Sequence, residues 1–429
     1  HCGLTRVSRE PATMTQPTSR RDLLKLGAGA VAGGLAAATP AAVRADDDAA
    51  AAVPDLKITR VTTFHLECEL ERAFGASVSV PLDKTRTALL VKIETNAGHV
   101  GWGETSPISG AQATIDTVLG PKLIGQNPME YRRLWRSLWG PNFGNGLATG
   151  AVDIALNDIR GKVLGLPVAE VFGGRFRDKV PVYVSALDYV EGIPIEKYYP
   201  ARAEKMVKQG HRAIKMRLGR FPVAREAKVI KKIRKVVGPD VKLMADGNGA
   251  YTMGNALKMA DHMADLDFEF LEEPMPQRSN NYPGYERLRE KMPLPLAGGE
   301  AVDSRDAAHA LLTRRTFDII QPDASLCGGI GEVVFISELA YLSGTRCFPH
   351  CWGADIIIAA TVQALSLVPD PHFGLPTDTP MLELDQSENP WREGLAKGQI
   401  EVKDGYVTVP RKPGLGIEVD EKLVRKYAV

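Results

Sequence analysis

The chain has 429 residues, of which 44% are hydrophobic and 24% charged. This composition is ordinary for a soluble globular protein, and the length suits a barrel with a smaller partner domain. The formal net charge is +1, but residues 1–45 carry six Lys or Arg side chains against two acidic ones, so the remainder has a net charge of −3. A mildly acidic body gives no reason to expect nucleic-acid binding.

Residues 1–45 have the pattern of a twin-arginine export signal. Arg20 and Arg21 precede a small apolar run at 26–39, and residues 43–45 offer small side chains at the two positions that a signal peptidase reads. The run is too short to serve as a membrane anchor. We therefore expect export by the twin-arginine route, a periplasmic or extracellular location, and no membrane insertion of the mature protein.

After a linker at 46–55, residues 56–178 predict an α+β domain. Alternating apolar and polar residues predict an antiparallel meander, followed by helices with apolar residues on one face. The predicted strands are 56–69, 85–96 and 98–104, and the predicted helices are 129–139 and 148–163.

From about residue 180, short apolar strands alternate with amphipathic helices, a pattern typical of parallel βα units. The eight predicted strands are 182–186, 213–218, 241–246, 268–272, 294–300, 317–323, 345–350 and 381–384. Eight units predict a (β/α)₈ barrel, a modified TIM barrel, over residues 179–398. The tail at 399–429 is expected to pack back on the first domain.

Three acidic residues follow successive predicted strands: Asp246, Glu272 and Glu300. They are 26 and 28 residues apart, which is about one strand plus one crossover helix. Each acid alone would more often be a helix cap or a surface charge, but in a barrel all three converge at the carboxyl ends of the strands. Three carboxylates without a thiolate or imidazole favour Mg²⁺. Glu273 is the alternative to Glu272 as ligand.

Asp323 and His350 are 27 residues apart and fall at the ends of the sixth and seventh predicted strands. Adjacent strand ends would place them within hydrogen-bonding distance. An imidazole that is oriented by a carboxylate is a suitable general base near neutral pH.

Cysteines offer one competing interpretation of this region, because Cys347 and Cys351 flank His350. Their spacing allows zinc, but no second cysteine pair supports a zinc site. Buried thiols are the preferred interpretation.

Together these motifs resemble the enolase superfamily, in its mandelate racemase branch. The motifs that carry the resemblance are Lys215-x-Arg217, Asp246-x-Asn248, Glu272-Glu273-Pro274, Gly299-Glu300, Asp323, His350, Leu382-Glu383, Gly101-Trp102-Gly103-Glu104 and Ala151-Val152-Asp153-Ile154-Ala155-Leu156. The resemblance implies one Mg²⁺ per subunit, a small-molecule carboxylate substrate, and removal of the proton α to that carboxylate through an enediolate. It also implies a homo-oligomer, a dimer or an octamer.

The resemblance further assigns roles to single residues. Lys215 would place a cation at the substrate's oxygens, Asn248 would donate to a substrate oxygen, and Glu383 would be protonated and donate a hydrogen bond, which requires a raised pKa. The first domain would be a cap on the barrel. Selectivity would come from Trp352 and from a loop of this cap at 72–77 that includes Ser77.

Arg217 departs from the family's pattern, because lysine often stands there as a second base. Arginine stays charged and is a poor proton acceptor. We therefore predict a one-base reaction with His350, in which Arg217 holds an anionic oxygen. Dehydration of an acid sugar is the favoured reaction, closely followed by cycloisomerisation of a sugar-acid lactone. The alternatives are a racemase or epimerase of a hydroxy acid and an exported solute-binding protein without turnover.

Overall fold

The computed structural model describes residues 55–140, 144–277, 282–370, 379–392, 394–397 and 400–429. The predicted signal at 1–45 and residues 46–54 of the predicted linker lie outside this part of the chain. None of the helices in the described residues is both long and apolar enough to cross a membrane.

The first domain is an antiparallel meander covered by helices. Its strands are β1 (Ile58–Gly75), β2 (Asp83–Thr95) and β3 (Val100–Thr105), and β2 pairs with both neighbours. The helices are α1 (Ala111–Thr114), a π-helical turn (Ile115–Leu119), α2 (Gly120–Leu123), α3 (Tyr131–Trp139), α4 (Gly146–Leu164) and α5 (Val168–Val171).

Two glycines explain how closely α4 packs on β3. A Cβ atom at Gly101 would lie 2.1 Å from the carbonyl oxygen of Ala155, and one at Gly103 would lie 1.8 Å from that of Ala151. Only glycine lets the strand and the helix backbone approach this closely. The Gly101-Trp102-Gly103 motif therefore has a packing role.

Within the described residues, the second domain contains eight parallel strands: β4 (Lys179–Leu187), β6 (Ala213–Arg217), β7 (Lys242–Asp246), β8 (Phe268–Glu272), β9 (Leu296–Gly298), β10 (Ile319–Ile320), β11 (Arg346–Cys347) and β12 (Leu382–Asp385). Each strand from β4 to β11 pairs with the next of this series, and β12 pairs with β4. The predicted α/β barrel with an α+β cap is confirmed.

Helices connect these strands on the outside of the barrel. They are α6 (Ile195–Lys208), α7 (Val223–Val237), α8 (Met253–Ala264), α9 (Tyr282–Arg289), α10 (Arg305–Thr313), α11 (Ile330–Leu342) and α12 (Asp355–Leu367). A short strand, β5 (Tyr189–Val190), pairs with the end of β1 and so joins the cap to the barrel. The described residues beyond β12 enter the tail without an eighth crossover helix, which makes this a modified barrel.

The tail contacts both domains. Its elements are β14 (Val402–Lys403), β15 (Tyr406–Thr408), β16 (Glu418–Val419) and α13 (Glu421–Tyr427), and β13 (Ala396–Lys397) immediately precedes it. Strand β15 pairs antiparallel with β4 of the barrel. At the other end, the amide of Val429 donates to the carbonyl of His65 in β1 at 2.9 Å.

Candidate active site

The barrel interior is filled by one layer of apolar side chains, and the candidate site lies one layer above it. The apolar layer is a buried cluster of Tyr183, Ala213, Met244, Phe270, Ala297, Ile319, Phe348 and Met381. Residues two positions apart in a strand point to the same face. Lys215, Asp246, Glu272 and Glu383 each follow a member of this layer by two positions, so all four face inward at the carboxyl ends of their strands.

Lys215 is fully buried at the centre of these carboxylates. Its Nζ lies 2.8 Å from Glu272 Oε2 and 2.7 Å from Glu383 Oε1. Asp246 Oδ2 is 3.6 Å away. Burial by itself would lower the pKa of Lys215, but the charges of Glu272 and Glu383 outweigh it and raise that pKa. Lys215 is therefore a permanent cation.

Arg217 is buried on the neighbouring side of Asp246. Its guanidinium forms a close ion pair with Asp246, and its Nη1 donates to Asn248 Oδ1 at 3.3 Å. Asp188 Oδ1 lies 3.5 Å from its Nε. Burial disfavours the charged guanidinium, but Asp246 and Asp188 together raise the pKa of Arg217 further above its ordinary value. Arg217 cannot accept a proton in this environment.

Asn248 is positioned by the turn after β7. Its φ is +39°, in the left-handed region, which asparagine tolerates better than most residues. The turn is held by Asp246, whose Oδ1 accepts from the Asn248 amide at 2.8 Å and whose Oδ2 accepts from its Nδ2 at 3.2 Å. The side-chain amide of Asn248, which is predicted to bind substrate, therefore points back toward the carboxylate of Asp246.

His350 and Asp323 lie in the loops after β11 and β10, three residues beyond the strand ends. His350 Nδ1 is 2.7 Å from Asp323 Oδ2. Asp323 Oδ1 accepts from the amide and the hydroxyl of Ser325, each at 2.7 Å. The carboxylate therefore has a fixed orientation and in turn fixes the imidazole.

The other imidazole nitrogen faces the carboxylate cluster. His350 Nε2 lies 3.3 Å from Glu300 Oε2 and 3.9 Å from Glu383 Oε2. Burial lowers the pKa of His350, but Glu300 and the hydrogen bond with Asp323 act against it and raise that pKa to about 10. His350 thus links the predicted base dyad to the predicted metal ligands.

The expected protonation of Glu383 does not match this arrangement. Burial would raise its pKa, but Lys215 at 2.7 Å and the nearby His350 outweigh burial and lower the pKa of Glu383. Its Oε2 accepts a hydrogen bond from Tyr183 at 3.1 Å. The expectation that Glu383 is a protonated hydrogen-bond donor is therefore wrong for this structure, in which it is an acceptor.

In the part of the chain that the structure describes, no group of three or more His, Cys, Asp or Glu side chains is arranged to hold a metal ion. The physical reason lies in the cations, since Lys215 and Arg217 are paired with the predicted ligands Glu272 and Asp246. One atom nevertheless fits a metal, because the buried Glu272 Oε1 accepts no hydrogen bond from any described residue. A buried, unpaired carboxylate oxygen among hard oxygen donors suits Mg²⁺.

Glu300, the third predicted ligand, is the most accessible of the three, with 25% of its side chain exposed. It lies two residues beyond the end of β9, because this strand is shorter than the one predicted at 294–300. Glu273, the alternative to Glu272, also has a φ in the left-handed region, and its Oε1 accepts from Gln277 Nε2 at 2.5 Å. Of these two acids, Glu272 is the one with a buried oxygen that accepts no hydrogen bond from a described residue.

Trp352 and Ser77 occupy different positions at the edge of the site. The Trp352 ring stacks on Phe74 of the cap at 6.4 Å, and the guanidinium of Arg217 lies 5.3 Å from its centroid. Ser77 is buried, and its hydroxyl contacts the hydroxyl of Ser79 at 2.7 Å. The Ser77 hydroxyl therefore makes hydrogen bonds within the cap and between the cap and the barrel. Trp352, in contrast, lines the site beside Arg217.

Cys347 and Cys351 are buried free thiols. Burial raises the pKa of both above the ordinary value of a thiol, which disfavours the thiolate that a metal requires. The preferred interpretation of these residues as buried thiols agrees with the structure.

Sequence reasoning missed three polar residues around the site. The alternation of inward and outward side chains along β4 could have predicted that Tyr183 faces the barrel interior. It lies in the apolar layer below Glu383. Asp188 follows the end of the same strand and pairs with Arg217. Glu226 gave no sequence signal, because it stands among the charged residues of α7, yet it is fully buried.

Comparisons with known proteins agree with this geometry. The model of the mandelate racemase / muconate lactonizing enzyme N-terminal domain matches residues 60–173, and the enolase C-terminal domain-like model matches residues 199–423. D-galactarolactone cycloisomerase of Agrobacterium fabrum is 34% identical over 380 residues, which cover 87% of this chain and 99% of that protein. Arabinonate dehydratase of Saccharolobus solfataricus is 31% identical over 345 residues, which cover 78% of this chain and 89% of that protein.

A solved structure has the same architecture. The crystal structure of the 3,6-anhydro-D-galactonate cycloisomerase from Zobellia galactanivorans has a TM-score of 0.77 and 31% sequence identity, covering 87% of this chain and 99% of that chain. The matched regions include both the cap and the barrel. The chain therefore belongs to the enolase superfamily, in its mandelate racemase and muconate lactonizing enzyme branch.

Proposed function

We propose that the protein is an enzyme that removes the proton α to the carboxylate of an acid sugar or a sugar-acid lactone and then breaks the adjacent β carbon–oxygen bond. The observation that carries the proposal is the His350–Asp323 pair, in which the other imidazole nitrogen, Nε2, faces the carboxylate cluster. The sugar-lactone cycloisomerase and the sugar-acid dehydratase among its relatives support the substrate class.

His350 is the single base. The α-proton passes to Nε2, and the electrons of the broken carbon–hydrogen bond enter the carboxylate to give an enediolate. Asp323, 2.7 Å from Nδ1, stabilises the imidazolium that forms, since an oppositely charged neighbour favours the protonated ring.

The negative charge that develops on the substrate requires cations. The buried Lys215 provides one fixed positive charge at the end of β6, where it acts in surroundings of low dielectric constant. Asp246, Glu272 and Glu300 would hold Mg²⁺, the ion typical of this superfamily, which would add positive charge at the substrate's carboxylate oxygens and offset the negative charge that keeps the pKa of His350 high.

The second half of the reaction returns the proton. The enediolate collapses to a carbon–carbon double bond, the β carbon–oxygen bond breaks, and the proton on His350 is donated to the departing oxygen. If that oxygen is a hydroxyl, water leaves and the resulting enol becomes a 2-keto acid. If it is a ring oxygen, the ring opens and no atom is lost, so one base serves both the dehydratase and the cycloisomerase.

Racemisation is disfavoured by Arg217. A two-base racemase needs a proton acceptor on each face of the α-carbon, and Arg217 stands where the second base would be expected. Its ion pair with Asp246 keeps it protonated, so it holds an anionic oxygen instead. We further propose that the protein is exported and forms a homo-oligomer.

The test is turnover of an acid-sugar and sugar-lactone library by purified protein with Mg²⁺, followed by proton exchange in deuterated solvent. We expect His350→Asn to lose α-proton exchange while Mg²⁺ still binds in calorimetry. His309→Asn, on the outer helix α10, is the matched control and should behave as wild type. A wild-type protein that binds library members without exchanging any α-proton would instead be a solute-binding protein.

A further inference from the structure

The loop between β1 and β2, residues 76–82 and here called the cap loop, lies against the turn that carries Asn248. Ser79 Oγ donates to the carbonyl of Asn248 at 2.5 Å, and Ser77 Oγ donates to the same oxygen at 3.3 Å. The amide of Val78 donates to the carbonyl of Gly219 at 3.3 Å. The cap loop therefore contacts the two loops that follow β6 and β7.

Arg220 holds the cap loop from the barrel side. Its Nη2 donates to the carbonyl of Ser77 at 2.7 Å and to the carbonyl of Val80 at 2.8 Å. These two carbonyls lie three residues apart, so a single guanidinium closes the turn between them. Hydrogen bonds from a charged donor are stronger than those between neutral groups. Arg220 makes two such bonds, to the carbonyls of Ser77 and Val80.

Glu226 fixes the position of Arg220. Its buried carboxylate accepts from the amide of Gly219 at 2.9 Å, from that of Arg220 at 3.1 Å and from that of Phe221 at 3.0 Å. The hydroxyl of Tyr251 donates to it at 2.9 Å. One carboxylate thus satisfies three successive amides of the loop after β6, and this restricts where the Arg220 side chain can start.

We propose that Arg220 is a positioning residue that clamps the cap loop onto the Asn248 turn, and that Glu226 holds the clamp in place. The chain of contacts runs from Glu226 through Arg220 to Ser77 and Ser79, and from these hydroxyls to the carbonyl of Asn248. It keeps the Asn248 side chain beside Arg217, to which it is hydrogen-bonded. The effect on substrate, though not the clamp itself, rests on the proposed function.

Hydrogen exchange of the whole protein without substrate tests the clamp directly. Arg220→Met removes both donors and keeps the apolar stem, so the amides of Val78 and Val80 should exchange at least about tenfold faster than in wild type. Arg220→Lys keeps one charged donor and should restore part of the protection. Exchange rates within about twofold of wild type in Arg220→Met would overturn the clamp.

Arg225→Met is the matched control. Arg225 lies five residues away, pairs with Glu196 at 2.6 Å and stacks on Phe221. Within the described residues, it makes no hydrogen bond or ion pair with the cap loop. Its replacement should leave exchange in residues 76–82 unchanged. If Arg220→Met does not fold, Arg220→Gln carries the same test, because its shorter amide cannot reach both carbonyls.

Kinetics with the substrate found by the library screen separate positioning from a purely structural role. Asn248 is expected to donate to an oxygen that is present in both the substrate and the transition state. Arg220→Met should therefore raise KM about tenfold and change kcat less than about threefold. A loosened cap loop with unchanged KM would overturn the positioning role. Faster exchange together with no wild-type turnover would leave the clamp intact and refute the proposed function instead.

Discussion

Replacing Asp153 with asparagine is expected to stabilise the protein increasingly as the pH rises. Asp153 is fully buried in α4, where it accepts from the hydroxyl of Tyr131 at 2.6 Å and from the amide of Ile330 at 2.7 Å. Burial raises its pKa from 3.8 to about 7, although these two hydrogen bonds act in the opposite direction. The folded protein therefore favours the neutral acid.

The sign of the effect follows from this pKa. A folded-state pKa above the unfolded value contributes stability that is fully present below about pH 3.8 and is lost as the pH rises to about 7. Each unit of pKa is worth about 1.4 kcal/mol, so the whole loss is about 4 kcal/mol at pH 8. Between pH 5 and pH 8 the loss is roughly 2–3 kcal/mol.

The assay is the free energy of unfolding in denaturant, measured for wild type and Asp153→Asn at several pH values. Asparagine keeps an acceptor for Ile330 and a donor for Tyr131 but does not ionise. The difference between variant and wild type should therefore increase by roughly 2–3 kcal/mol from pH 5 to pH 8. Tyr131→Phe removes a hydrogen bond that lowers the Asp153 pKa, so it should make the pH dependence steeper. A difference that stays constant with pH would refute the reasoning.

Three further predictions concern the site and its delivery. Asp323→Asn should slow α-proton exchange by about 10²–10⁴-fold, the usual range for loss of general-base catalysis; a rate within threefold of wild type, measured by NMR in deuterated solvent, would contradict the dyad. Glu272→Gln should weaken Mg²⁺ binding about 10-fold or more in calorimetry, whereas unchanged affinity would transfer the ligand role to Glu273. Replacing Arg20 and Arg21 with lysine should retain the precursor in the cytoplasm; processed protein in the periplasmic fraction would argue against a twin-arginine signal.

Much of the candidate site could be predicted because its residues are tied to strand ends. Asp246 and Glu272 are the last residues of β7 and β8, so the period of two along a strand is enough to place them facing inward. Glu300 and His350 lie beyond strands much shorter than predicted, and their order along the chain still brings them to the same end of the barrel.

The βα repeat and the chemical identity of the strand-end residues are local properties, so the sequence alone determined the barrel, the acid triplet and the histidine beside its carboxylate. The charge state of Glu383 could not be predicted in this way. It depends on the distance to Lys215, a residue 168 positions earlier.

Arg220 and Glu226 show the same limit, since nothing near them in the chain distinguishes them from the other charged residues around α7. Their roles appear only when the cap loop, about 140 residues earlier, is folded against the barrel. Electrostatic and hydrogen-bonding partners are set by distances in space, and only the tertiary structure brings these residues together.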